Sequence, residues 1–128
     1  IRGQPVEPVS LTLKPGAKIE DVAPLDYKKA LEEFDGDEDF LKEVLEGFFD
    51  NVKNQIETIE QALNDGDSET IRKEAHSIKG GAANLTANGL AGIAFELENI
   101  ATSKTIPAGF EVVKRLKNEF THLVSYLS

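Results

Sequence analysis

Seven apolar residues, Leu41, Leu45, Phe48, Val52, Ile56, Ile59 and Leu63, follow one another at intervals of three or four. That spacing follows the helical period, so it sets all seven on one face of a single long helix over about Asp37 to Asn64. Most of the stability of such a helix comes from burying its apolar face, so the chain must supply partner helices for it.

The rest of the sequence supplies them. "LDYKKALEEF" opens with Asp26 as N-cap and sets Tyr27, Ala30, Leu31 and Phe34 at i, i+3, i+4 and i+7. "NDGDSET" closes the long helix: Gly66 suits the stop, and Asp67 or Ser68 the next N-cap. A third helix, about Ser68 to Asn84, aligns Ile71, Ala75, Ile78, Ala82 and Leu85. A fourth, about Ala87 to Ser103, aligns Leu90, Ala94, Leu97 and Ala101, with Thr86, Asn88 and Gly89 marking the turn between them. Pro107 suits the first turn of a last helix that carries Phe110, Val113, Leu116, Phe120, Leu123, Val124 and Leu127 inward. Short links make consecutive long helices antiparallel. The expected fold is therefore all-α, an antiparallel up-down four-helix bundle over residues 25–128 with a short additional N-terminal helix. Residues 1–24 hold Pro5, Pro8, Pro15 and Pro24 and no helical period, although Val9, Leu11 and Leu13 alternate as a short strand would. This extended N-terminal segment reads as a linker or as a tail packed on the domain surface.

Composition works by exclusion. A net charge of −9 argues against nucleic acid and anionic membrane as partners, since both need basic surface. With no cysteine there is no disulfide, thiolate catalysis or thiolate-bound metal. No apolar run approaches the roughly 18 residues of a membrane span, and no secretory signal is visible. The chain contains no methionine, even at position 1, which reads as a piece cut from a longer protein. His76 and His122 stand far apart without a His-x-x-Glu pairing, so no zinc or di-iron site is expected, and His122 reads as a surface or rim residue. "DGDED" at residues 35 to 39 lacks the twelve-residue spacing of a calcium loop and reads as a solvated loop or helix start.

None of this accounts for "EAHSIKGGAANL", residues 74 to 85. Gly-Gly within a helix costs about 2 kcal/mol relative to Ala-Ala. His76 lies well away from the centre of the third helix's apolar face and points to solvent or to the edge of a neighbour. Arg72 and Lys73 stand one turn before it, Lys79 and Gly80 one turn after, and Ala83 two turns after. An exposed helical histidine is ordinarily a polar surface residue. That account leaves Gly80 unexplained, since an outward helix position gains nothing from glycine; close packing on a neighbouring helix would explain Gly81. An exposed imidazole is a nucleophile able to carry a phosphoryl group. A lysine one turn away would stabilise the added negative charge, and small residues beside the ring would let a partner's reactive carboxylate approach.

"AHSIKGGAANL" followed by "GLAGIAFELENIA" resembles the histidine-containing phosphotransfer domain of two-component phosphorelays, with the His-x-x-Lys-Gly core at His76, Lys79 and Gly80. The resemblance spans about residues 25 to 127. It implies a four-helix bundle with an added N-terminal helix and no ATP binding or kinase activity of its own. His76 would accept a phosphoryl group from, or pass it to, an aspartate of a receiver domain, with a histidine kinase as a further partner and Mg²⁺ held by the receiver. The wording is most similar to the phosphotransfer domain of chemotaxis-type kinases, where a glutamate in the matching "LEN" string bonds the imidazole; that residue is Glu98 here. Helix geometry agrees: if the turn centres near Thr86, position 76 lies opposite position 96 or so, with Glu98 at the edge of the apolar stripe. A carboxylate on Nδ1–H would leave Nε2 as nucleophile.

The sequence departs from that subfamily where a second histidine commonly stands; Phe95 occupies the place. Phe95 is read as an outward apolar residue, packed under the N-terminal segment or part of a receiver-docking patch with Arg72, Lys73, Gly80 and Ala83. The expected setting is a cytoplasmic monomer, with no membrane contact by this chain, as part of a hybrid sensor histidine kinase that is itself soluble or membrane-anchored. Two alternatives stand beside it: the phosphoacceptor domain of a chemotaxis-like kinase, and a helical interaction module that is never phosphorylated.

Overall fold

The computed structural model describes residues 23–127, so the expectations for residues 1–22, including the strand at Val9, Leu11 and Leu13, lie outside the described residues. The described residues form five helices and no strand: α1 (Tyr27–Glu33), α2 (Glu38–Asp65), α3 (Ser68–Asn84), α4 (Asn88–Ser103) and α5 (Ile106–Tyr126).

Aspartates set three of the starts. Asp26 Oδ1 accepts the Lys29 N–H at 3.0 Å, Asp37 Oδ1 accepts the Phe40 N–H at 3.0 Å, and Asp67 Oδ1 accepts the Thr70 N–H at 3.2 Å. Each satisfies a first-turn amide that has no partner inside its helix. The acidic run at residues 35 to 39 is thus a turn and a helix start: Asp35 and Gly36 take positive φ, Asp37 caps, and Glu38 and Asp39 occupy the first turn of α2, where the helix dipole favours negative charge. Gly66 ends α2 in the left-handed conformation, φ 71°, as its position just past the apolar stripe suggested.

Packing follows the stripes. Leu41, Leu45, Val52, Ile56, Ile59 and Leu63 of α2 are buried, and Phe48 is half-buried against the core. The predicted faces of α3 and α4 are buried at every position. On α5, Val113, Leu116 and Leu123 are buried, and Phe120 and Leu127 pack partly against them. Phe110 departs from the expectation: it is 49% exposed, and Val112 and Gly109 face inward in its stead. Gly109 admits the α2 side chain, for a Cβ there would meet Leu63 Cδ2 at 2.7 Å. Tyr27 is likewise exposed, so α1 buries only Ala30 fully. The long helices pack as α2 on α3, α3 on α4, α4 on α5 and α5 on α2, with α1 against α2.

The turn between α3 and α4 has one feature that the sequence conceals. Thr86 takes φ 60°, unfavourable for a β-branched residue, yet it is buried. Its hydroxyl accepts the Asp26 N–H at 3.0 Å and donates to the Asp26 carbonyl at 2.9 Å. These bonds tie the start of α1 to the α3–α4 turn.

Candidate functional site

His76 stands on α3 with its side chain 63% exposed. Its Nδ1 lies 2.9 Å from Glu98 Oε2 on α4. Glu98 is much less exposed, 16%, and its buried Oε1 lies 2.9 Å from Lys79 Nζ, in an alignment that makes an ion pair rather than a well-directed hydrogen bond. Lys79 Nζ in turn sits 5.0 Å from the centroid of the Phe95 ring. The pairs His76–Glu98 and Lys79–Phe95 are both symmetric about Ala87, the residue capping α4, so α3 and α4 run alongside one another in opposite directions. The register differs slightly from a turn centred at Thr86: position 76 meets position 98, not 96.

The electrostatics decide the tautomer. Lys79 and, after it, the His76 contact hold the Glu98 carboxyl below its ordinary range, against a desolvation that pushes it up. Glu98 is therefore ionised near neutral pH and can only accept, so a neutral His76 must donate from Nδ1–H. The lone pair then resides on Nε2, which has no protein partner among the described residues. A ring anchored at Nδ1, with an exposed basic Nε2, can attack an electrophile brought from outside. Positive charge generated on the ring is met by the Glu98 carboxylate.

The surrounding residues divide by what they touch. Gly80 is exposed, and a Cβ added there would meet nothing within 4 Å. Gly81 faces inward, where a Cβ would stand 2.9 Å from Phe48 Cε1 on α2. The two glycines thus have separate reasons: Gly81 admits the Phe48 ring, and Gly80 leaves the surface beside His76 bare. Ala83, also exposed, extends that bare strip. Arg72 is engaged, its guanidinium bonding Glu69 at 2.6 Å. Lys73 is exposed and lies near enough to Asp67 and Glu69 to help lower both carboxyls. Phe95 is 50% exposed. His122 lies apart on α5, 4.0 Å from Glu119. Among the described residues no cluster of three or more His, Cys, Asp and Glu side chains is placed to hold a metal.

Three contacts around the site were not anticipated from the sequence. Lys79 is engaged by Glu98 and Phe95 rather than waiting free beside the imidazole; opposite charges in register across two helices were the available signal. Ser77 accepts from Gln55 Nε2 of α2 at 2.9 Å, bordering a shallow polar groove next to the histidine face. Nothing in the spacing of Gln55 distinguishes it from an ordinary surface residue.

The site is thus an exposed, carboxylate-anchored histidine on a helical scaffold. The family model for the Hpt domain matches residues 43–126, and the chain belongs to that family. It is a histidine phosphotransfer module of phosphorelay signalling, and domains of this family interact with receiver domains and kinases. Among solved structures it is similar to histidine-containing phosphotransfer protein B (HptB) from Pseudomonas aeruginosa PAO1. The TM-score is 0.73 and the identity 27%, over 80% of this chain and 90% of that one. Comparison with curated proteins gives no significant match. Among the described residues no helix is long and apolar enough to cross a membrane.

Proposed function

We propose that His76 is the phosphoacceptor, and the observation that carries this is its Nδ1 contact with an ionised Glu98 beneath an open Nε2. The Nε2 lone pair forms the N–P bond as the P–O bond to a receiver aspartate breaks, and the aspartate leaves as a carboxylate. The ring keeps its Nδ1 proton and gains positive charge, which Glu98 stabilises, so no separate base is required. Return transfer runs through the same steps backwards. Phosphoryl transfer of this loose, in-line kind depends on positioning and charge stabilisation. Lys79, which shares the Glu98 carboxylate with His76, stabilises the phosphoryl oxygens. Arg72, Lys73, Gly80 and Ala83 form the docking surface, and Mg²⁺ is supplied by the receiver.

The cyclic packing of α2, α3, α4 and α5 supports an antiparallel up-down bundle, with α1 as the added N-terminal helix. The setting proposed is a cytoplasmic, monomeric module of a larger hybrid sensor kinase. The test is phosphorylation of the chain by a phosphorylated receiver with Mg²⁺, read by intact mass. A phosphate-sized gain that is labile in acid, stable in base and absent in His76→Gln is expected. No gain with several competent donors would leave a helical interaction module as the reading.

A further inference from the structure

Phe95 has a half-exposed ring on the outside of α4, where burial does not account for an aromatic residue. Its ring face carries the Lys79 ammonium at 5.0 Å, and the same ammonium lies 2.9 Å from Glu98 Oε1. The lysine is thus met by two residues one helical turn apart on α4, one of which, Glu98, also meets His76. Glu98 meets it at a single oxygen, as an ion pair, which leaves the stem of the lysine free to swing about that contact. The long stem of a lysine has many rotamers, and an ammonium that must meet a phosphoryl group gains from being confined beforehand.

We infer that Phe95 is a positioning residue for phosphotransfer, acting through Lys79: its ring holds the ammonium beside the His76–Glu98 pair, where the incoming phosphoryl group needs it. This rests on the reading of His76 as phosphoacceptor, and it assigns Phe95 a task within the site rather than contact with the receiver. The phosphoryl oxygens compete with Glu98 for Lys79, while the ring, which is uncharged, keeps the ammonium local as that exchange takes place. A cation–π contact at an exposed site favours the held ammonium over the released one by about threefold, which bounds the effect on transfer.

The test uses the full chain in a double-mutant cycle. Single-turnover transfer from a phosphorylated receiver is measured for wild type, Phe95→Leu, Lys79→Gln and the double variant, with Phe95→Tyr as the conservative control. Phe95→Leu is expected to slow transfer about threefold, at unchanged receiver affinity. Phe95→Tyr should restore the rate, and Phe95→Leu should add nothing once Lys79 is gone. In parallel, the side-chain methylene protons of Lys79, shifted upfield by the ring in the unphosphorylated protein, should move to ordinary positions in Phe95→Leu. An undiminished effect of Phe95→Leu in the Lys79→Gln background, or one that appears as weakened receiver affinity, would make Phe95 a docking contact and overturn the inference. So would Lys79 protons indifferent to the ring. A wild-type chain that accepts no phosphate from any competent donor defeats the functional reading first, and the role of Phe95 in transfer with it, even where the ring shift of Lys79 persists.

Discussion

Glu98 shares one carboxylate between His76 Nδ1 and Lys79 Nζ, each at 2.9 Å. Glu98→Gln keeps the shape but removes the charge, so the amide cannot meet the positive charge that phosphorylation places on the ring. Transfer should slow about 10- to 100-fold, by analogy with the loss of a carboxylate that orients a metal-bound histidine, and the helical content should be retained by circular dichroism. The same substitution reports on stability. Because the folded protein depresses the Glu98 pKa, the stabilisation from its ionised form is complete above the ordinary value of 4.5 and disappears as pH falls through the lower folded value. Urea unfolding should therefore find Glu98→Gln less stable than wild type by about 1–2 kcal/mol at pH 7, with the gap narrowing steadily below pH 4.5. A gap independent of pH would mean that packing, not charge, is what the substitution removes. The His76–Glu98 pair was legible in the sequence because a known motif named the carboxylate, while the antiparallel register placed it only to within two residues. The grip on Lys79 was not, because a cation's choice among nearby partners depends on side-chain rotamers that spacing does not specify.

Helix α3 accepts two adjacent glycines, and the helix itself shows that they are not equivalent. At Gly80 an added methyl meets open space, so Gly80→Ala should stabilise the domain by about 0.5–1 kcal/mol through helix propensity alone. At Gly81 the methyl meets Phe48 at 2.9 Å, and the half-buried ring must move. Gly81→Ala should therefore fall short of Gly80→Ala by about 1 kcal/mol or more, measured by denaturant unfolding. Transfer from a receiver should reverse the ranking of benefit: Gly80→Ala, though more stable, crowds the approach to His76 and should be slower than wild type. Equal stability gains at both positions would remove the packing explanation for Gly81. The helices themselves were readable because stripes such as Leu41 to Leu63 leave one face to bury and aspartate caps fix where each begins. Phe110 escaped that reasoning. It lies near the start of α5, where the neighbouring Gly109 lets α2 approach so closely that a small residue and Val112 occupy the interior.

The five helices are joined into one molecule partly by a contact that no periodicity could reveal, between residues sixty apart in sequence. Thr86 reads as a turn residue, and it is one, but its hydroxyl also clasps both backbone groups of Asp26 just ahead of α1. Helix α1 buries only Ala30 fully, so it has little apolar area with which to hold itself in place. Leu25, nearly fully buried beside Asp26, adds the apolar half of the attachment. Thr86→Val keeps the size and the branched Cβ at φ 60° but deletes the hydroxyl, so its effect isolates the two hydrogen bonds. It should lower stability by about 1–3 kcal/mol, the usual consequence of stranding part-buried polar groups, while Thr86→Ser should retain most of the wild-type value. The loss should be local. Amide exchange is expected to accelerate along α1 and at the α3–α4 turn, with the interiors of α2 and α5 remaining protected. Phosphorylation of His76 should continue at close to the wild-type rate, since His76 and Glu98 lie about three helical turns along α3 and α4 from Thr86. If protection instead falls evenly across all helices, α1 is an inseparable part of the cooperative unit, and the clasp at Thr86 fixes the register of α3 against α4 on which the His76–Glu98 pairing depends.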